Sequence, residues 1–175
     1  ARLEEGRFGF HFRVQSFLPF VQRFAERFRI VAQEKAIIFD FIAPQEEMLS
    51  VVFDEEKLTI VIENLLDNAI KYTLPGGTVR FVVETKKQEI VVSITDTGIG
   101  IPKDQEHRVF SKFFRGENAQ LYQTSGTGLG LYVVKNIVEQ HGGSMSFVSE
   151  EGKGTTFFFS IPIASSERTS LLHQL

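Results

Sequence analysis

The spacing of hydrophobic positions changes several times along the chain, and each change marks an element. Phe8, Phe10 and Phe12 alternate with Gly9, His11 and Arg13, a period of two that predicts a strand. From Phe17 the spacing lengthens. Phe17, Phe20, Val21, Phe24 and Phe28 recur at threes and fours, the apolar stripe of a helix over 16–33 with Ser16 as N-cap. The segment 36–42 reads as a strand ended by Pro44, and 49–53 as another short one. Asp54 then caps a second helix whose apolar face is Leu58, Ile62, Leu65, Leu66, Ala69 and Ile70. Lys57 in its N3 place means that a capping box is missing. Pro75-Gly76-Gly77 stops this helix, and 78–85 and 89–95 are expected to pair as a hairpin around Lys86-Lys87-Gln88.

Over 102–125 the periodicity weakens, apart from a short helical stretch near 105–110. A loop this long inside a compact domain is usually functional or mobile. A third helix is predicted over 129–141, closed by Gly142-Gly143. Final strands over 144–149 and 155–161 flank Gly152-Lys153-Gly154, and 164–175 reads as a flexible tail. Strands and helices mix without strict βαβ alternation. The pattern predicts an α/β protein, a two-layer sandwich of one mixed sheet with three main helices on one face.

Composition narrows the function. The 175 residues suffice for one domain with a real core, and 42% hydrophobic residues exclude a disordered chain. A net charge of −3 does not suit a polybasic nucleic-acid binder. Absence of cysteine excludes disulfides, thiolate metal sites and cysteine catalysis. No apolar run approaches the roughly 18–20 residues of a membrane span. Eighteen Phe and no Trp point to a Phe-packed interior.

Four constellations carry candidate chemistry. Asn64 and Asn68 stand i, i+4 on the second helix, with Lys71 and Tyr72 one turn on. Amide oxygens are hard ligands that suit Mg²⁺ bridging phosphate oxygens, and the lysine can meet a phosphate as a point charge. A solvated face with Glu63, Asp67 and Lys71 as ordinary pairs is the plainer alternative. Asp96-Thr97-Gly98-Ile99-Gly100-Ile101-Pro102 follows a strand directly. A carboxylate there can accept from an exocyclic amine such as adenine's, and the glycines let backbone pass close to a flat base. A simple turn is the alternative, and the dinucleotide fingerprint does not fit because its third glycine and following helix are missing. Gly126-Thr127-Gly128-Leu129-Gly130-Leu131 leads into the third helix, where exposed N–H groups bind anions. It is not a Walker A loop, and a glycine-rich helix start without function is its alternative. Gly152-Lys153-Gly154-Thr155 alone is only a hairpin turn.

In this order and at domain-scale spacing, the four segments resemble the N, G1, G2 and G3 boxes of the catalytic, ATP-binding domain of sensor histidine kinases. That domain belongs to the superfamily shared with DNA gyrase, the ninety-kilodalton heat-shock chaperones and MutL. Phe110-Ser111-Lys112-Phe113-Phe114-Arg115 resembles the F box of the kinase branch. The likeness runs from about residue 1 to 163. It implies the Bergerat-type ATP-binding fold with ATP and Mg²⁺ as cofactors. It also implies Asn68 on the metal, Asn64 near metal and phosphates, Lys71 on phosphate and Tyr72 at the sugar-phosphate region. Asp96 would hold the adenine amine. Gly98, Gly100 and Ile101 would shape the base pocket, and Thr155 would lie near the base. Gly126, Thr127, Gly128, Leu129, Gly130 and Leu131 would wrap the phosphates. Residues 103–125 would form the ATP lid, with Phe114 and Arg115 reaching toward nucleotide or partner and 117–125 least firmly held.

The resemblance further implies γ-phosphoryl transfer to a histidine on a separate dimerisation/phosphoacceptor domain, and a cognate response regulator as partner. None of His11, His107, His141 and His173 has the acceptor's context. His141 falls at a helix C-terminus, where imidazolium and helix dipole would agree. Residues 1–8 resemble the end of the missing hairpin and its linker, with the catalytic domain over 9–163. The piece alone is expected to be monomeric and the full protein homodimeric, a cytoplasmic domain with any membrane anchor elsewhere. In the gyrase and chaperone branch the residue matching Asn64 is Glu, which polarises water. Asn has no titratable base, so Asn64 favours holding ATP for a histidine. Two rivals remain: an anti-sigma-factor serine kinase, and a nucleotide-sensing module without kinase activity.

Overall fold

The computed structural model of the chain describes residues 9–45, 50–122 and 128–163. Its elements run β1 (Arg13–Ser16), α1 (Phe17–Glu34), β2 (Ile38–Ile42), β3 (Ser50–Phe53), α2 (Glu55–Tyr72), β4 (Thr78–Lys86) and β5 (Glu89–Asp96). A 3-10 helix (Lys103–Arg108), a short α3 (Glu117–Tyr122), α4 (Gly130–Gln140), β6 (Ser144–Glu150) and β7 (Gly154–Pro162) follow. One sheet has the order β2-β4-β5-β7-β6, and β1 and β3 form a separate antiparallel pair. Only β2–β4 is parallel in the larger sheet, so it is mixed.

Alternation along the central strands decides the layering. Val79, Phe81 and Val83 of β4, Ile90, Val92 and Ile94 of β5, and Phe157, Phe159 and Ile161 of β7 are all buried. Their neighbours Arg80 and Glu84 are exposed, so one sheet face is packed and the other is largely wet. Helices α1, α2 and α4 cover the packed face. The Phe-rich stripe of α1 supplies Phe17, Phe20, Phe24 and Phe28, and Phe17 and Phe20 meet Phe53 with ring centroids 5.5 and 5.0 Å apart. Phe17 and Phe53 are essentially inaccessible, each stabilising the fold by about 2–3 kcal/mol through burial.

Helix ends follow local chemistry. The Asp54 side chain accepts from the Lys57 N–H at 3.0 Å, the expected N-cap of α2. Ser16 precedes α1 in an extended conformation without a side-chain capping bond. The far end of α2 is held by Lys35, whose Nζ donates to the carbonyls of Ile70 (2.6 Å) and Lys71 (2.9 Å). Burial lowers the pKa of that lysine.

Three expectations are corrected. The strand expected at Phe8–Phe12 does not form among the described residues: β1 begins at Arg13, where it can pair with β3. Phe10 and Phe12 instead stack on each other, centroids 5.6 Å apart, and both meet the His141 ring edge-on. His141 is not a charged partner of the helix dipole. It is 4% exposed, and burial, its dominant cause, pushes its pKa down. Nδ1–H donates to the Ile137 carbonyl (2.8 Å) while Nε2 accepts from the Asp54 N–H (3.1 Å), which fixes a neutral tautomer. Lastly, 117–122 is helical, where the weak periodicity of 102–125 predicts no helix beyond 110. The predicted 1–8 and 164–175 segments lie outside the described residues, as do 123–127 of the expected lid.

The His141 junction titrates. A base whose folded pKa is depressed contributes stability above its unfolded pKa, and that contribution is lost as pH falls below about 6.5. Protonation would remove the acceptor for Asp54 N–H, although the Asp54 carboxylate partly offsets the charge. The stability advantage of wild type over His141→Gln should therefore shrink between pH 7.5 and 5.5 in chemical denaturation. An advantage independent of pH would show that this imidazole is not buried neutral.

Candidate functional site

A cavity of about 300 Å³ opens between α2, the loop after β5, the segment before and within α3, and the start of α4. That is the lower end of ordinary small-ligand sites. Its lining includes Asn64, Asn68, Lys71, Tyr72, Asp96, Gly100, Ile101, Phe114, Arg115, Gly128, Gly130, Leu131 and Thr155, all singled out in the sequence. Of the other expected residues, Gly98 and Leu129 do not line it, and Gly126 and Thr127 lie outside the described residues.

Asp96 sits there because of strand arithmetic. Ile90, Val92 and Ile94 point inward along β5, and the next inward place belongs to Asp96. Its cross-strand partner is Thr155, the first inward residue of β7, followed on the same face by Phe157. The carboxylate is 9% exposed. Gly98 N–H donates to Oδ1 at 2.8 Å and Thr155 N–H to the same atom at 3.3 Å, so Oδ2 is left toward the cavity. Burial raises the pKa to about 6 against the opposing pull of the two backbone donors. Gly98 thus acts on the site through Asp96. A Cβ there would lie 2.5 Å from the Tyr72 carbonyl and 2.8 Å from Asp96 Oδ1, so only glycine fits between strand end and helix end.

The loop after Asp96 is pinned on two sides. Ile99 N–H donates to Tyr72 O (3.2 Å), Gly152 N–H donates to Ile99 O (2.8 Å), and Ile101 N–H donates to Ser149 Oγ (2.8 Å). Gly100 takes φ +67° under the Glu150 carbonyl, where a Cβ would collide. The glycine turn before β7, unremarkable in the sequence, is therefore a wall that holds this loop in place.

Asn64 and Asn68 project from α2 on the stripe that faces the cavity. Asn64 Nδ2 donates to the Ile60 carbonyl at 2.7 Å, which turns Oδ1 toward Gly130. A Cβ on Gly130 would come within 2.6 Å of that oxygen, so glycine at the start of α4 admits it. Eight residues, about 12 Å of helix axis, separate Asn64 from Tyr72 beside Asp96. Lys71 Nζ lies 5.2 Å from the Tyr72 ring centroid and lines the cavity between them. Along α2 the cavity therefore runs from the Asn64 amide, past Asn68 and Lys71, to Tyr72 beside the single buried carboxylate of Asp96.

Sequence reasoning missed several lining residues: Ile99, Val109, Gly116, Asn118, Ala119 and Phe157. Phe157 was accessible from the alternation that places it two residues after Thr155 on one face. The others lie where the hydrophobic period fades. In the F-box segment, Phe110 packs on Phe147 and Phe157, and Phe114 lines the cavity. Phe113 is 72% exposed with φ +60°, so it does not help to anchor this segment.

Residues 53–165 match the family described as histidine kinase-, DNA gyrase B-, and HSP90-like ATPases. The sensor histidine kinase WalK of Bacillus subtilis is 38% identical over 145 residues, covering 82% of this chain and 23% of WalK. The nucleotide-free catalytic domain of histidine kinase ThkA superposes with a TM-score of 0.74 at 29% identity, covering 87% of this chain and 96% of that one. ThkA solved in complex with the response regulator TrrA superposes at 0.71 with 26% identity, covering 87% of this chain and 42% of that one. The chain belongs to this ATPase family, and its fold is that of histidine kinase catalytic domains. It spans about a quarter of the length of the curated relatives it matches.

The buried carboxylate has a measurable cost. Its folded pKa of about 6 exceeds the ordinary 3.8, so the folded state holds this proton more tightly. The associated stability is present at low pH and lost as pH rises through about 6. Asp96→Asn, which keeps the shape and removes the charge, should raise stability at pH 7.5 by about 1–3 kcal/mol and have little effect near pH 4. Equal stability at both pH values would mean that Asp96 is solvated.

Proposed function

We propose that this domain holds Mg²⁺-ATP and delivers its γ-phosphoryl to a histidine of a dimerisation/phosphoacceptor domain, as the catalytic domain of a two-component sensor histidine kinase. The observation that carries this reading is the division of the cavity. Asp96 is the only carboxylate among the described lining residues, and the loop that follows it meets α2 at Tyr72, eight residues from Asn64. No histidine is among the described lining residues either. The amide end therefore offers positions for phosphate and no base to activate water.

At the carboxylate end, Asp96 Oδ2 accepts from the adenine amine while Gly100, Ile101 and Thr155 bound the ring. Gly98 keeps Asp96 in place. Along α2, Lys71 meets phosphate and Tyr72 the sugar-phosphate region. Gly128, Gly130 and Leu131, with Gly126, Thr127 and Leu129 of the same glycine segment, enclose the phosphate chain. Phe114 and Arg115 close over the nucleotide.

The donor set fits a magnesium ion. Asn64 Oδ1 is turned to the cavity, and Asn68 stands one turn on. No group of three or more His, Cys, Asp or Glu among the described residues could form an all-protein cage. One or two side-chain oxygens completed by phosphate oxygens and water is the arrangement magnesium favours. Asn68 would hold it with Asn64 adjacent, and when bound it would neutralise charge on the β- and γ-phosphates. A histidine nitrogen of the acceptor domain then attacks the γ-phosphorus in line. The P–O bond to the β-phosphate breaks, and ADP leaves with the electron pair.

The response regulator as a further partner is supported by the solved ThkA–TrrA pair. A homodimeric full protein and a cytoplasmic setting belong to the same reading. No described helix is long and apolar enough to cross a membrane.

Asp96→Ala and Asn68→Ala should each weaken Mg²⁺-ATP binding at least tenfold, about 1.4 kcal/mol. Isothermal titration with wild-type affinity in both would refute the site. Given radiolabelled ATP, the 175-residue chain alone should neither label itself nor hydrolyse quickly. Mixed with a phosphoacceptor hairpin from its own kinase, it should label that hairpin with an acid-labile bond. Rapid acid-stable self-labelling would instead favour serine phosphorylation.

A further inference from the structure

Two polar side chains outside the sequence motifs tie the segment that carries Phe114 and Arg115 to the rest of the site. Gln105, in the 3-10 helix, is 7% exposed, and its Oε1 accepts from the Glu117 N–H at 3.0 Å. Asn118, one residue further, donates from Nδ2 to the Gly100 carbonyl at 3.0 Å and more weakly to the Ile99 carbonyl at 3.4 Å. Between Arg115 and Glu117, the buried Gly116 leaves room for both contacts. A Cβ there would be 3.0 Å from Asn118 Oδ1 and 3.6 Å from Gln105 Oε1.

These bonds are not interchangeable with surface contacts. Gln105 is buried, so losing its partner leaves a desolvated oxygen unpaired. Asn118 holds the carbonyls of the loop that follows Asp96, the loop already fixed by Tyr72, Gly152 and Ser149. The backbone that borders the base pocket is therefore also the post to which the start of α3 is tied. Gly116, Asn118 and Ala119 line the cavity beside Phe114 and Arg115, so the tie sets where this wall stands.

We propose that Gln105 and Asn118 act as positioning residues, a two-point latch that seats the 114–119 wall against the loop of the base pocket and slows nucleotide release. Neither touches the reacting phosphate in this account, which rests on the nucleotide-site reading above. A latch acts on the bound state, so it alters dissociation more than association. It also predicts chemistry at Asn118. Asp keeps the shape but presents an acceptor to two carbonyls, whereas Ala merely removes the donor.

The test is stopped-flow binding and displacement of a fluorescent ribose-substituted ATP with Mg²⁺, using the 175-residue chain. Thermal melts of the same samples are run in parallel. Asn118→Ala and Gln105→Met should each speed release about fivefold, the effect of losing roughly one hydrogen bond, with association little changed. Asn118→Asp should release faster than Asn118→Ala, and Asn118→Gln, which keeps a donor, should recover part of the loss. Because both points hold one segment, the double variant should fall short of the product of the single effects. Release at the wild-type rate in Asn118→Ala and Asn118→Asp would overturn the latch, as would a lowered melting temperature with unchanged kinetics. Failure of wild type itself to bind Mg²⁺-ATP would overturn the nucleotide-site reading, and the latch with it.

Discussion

One ionised group inside the sheet's packed layer governs this structure. Along β5 the inward places are taken by Ile90, Val92, Ile94 and then Asp96. A carboxylate in that fourth place is tolerated because two backbone N–H groups meet its Oδ1, from Gly98 and from Thr155 across the strand pair. Each donor depends on something further. Gly98 must be glycine because the end of α2 approaches so closely, and Thr155 is in register because β5 and β7 pair along their whole length. Sheet register, helix packing and the carboxylate end of the cavity thus meet in the same placement.

Seen from that carboxylate, the rest of the site is a matter of reach. Helix α2 begins at the Asp54 cap, runs past Asn64 and Asn68, and ends beside the loop that follows Asp96. Its two ends are fixed by unrelated contacts, His141 with the 10–12 segment at one and Lys35 at the other. A rigid helix about 27 Å long spanning the site suits a function in which base and phosphates must be held at a fixed separation. Under the proposed function, proximity of this kind would supply much of the reduction in a phosphoryl-transfer barrier without a carboxylate or imidazole beside Asn64.

Much of this was legible in the sequence wherever a period was sustained. Helices α1 and α2, the β4–β5 hairpin and the inward alternation of β7 follow from spacing alone, and Asn64, Asn68, Lys71, Tyr72, Asp96 and Thr155 are carried on elements so defined. Asn64 and Asn68 could be located because they stack i, i+4 beside an apolar helix face, and Asp96 because it follows a strand directly and leads into a glycine-rich turn. Long-range pairing was not legible. Phe10 and Phe12 alternate like a strand, yet β3 ends at Phe53 opposite Arg13, and they pack on His141 instead. The charge state of His141 depended on burial by segments far away in the chain. Gln105, Asn118 and Lys35 escaped notice because single hydrogen bonds to distant carbonyls leave no periodic trace.

The central claim is that a buried acceptor, Asp96, reads the amine of an adenine ring. Calorimetric titration of the chain with Mg²⁺-ATP and Mg²⁺-GTP tests it most directly. Guanine presents a carbonyl where adenine presents the amine, and a carbonyl facing a carboxylate gains no hydrogen bond and meets repulsion. The account predicts clear ATP binding, with GTP weaker by at least about tenfold. Equal affinity for the two nucleotides would contradict it.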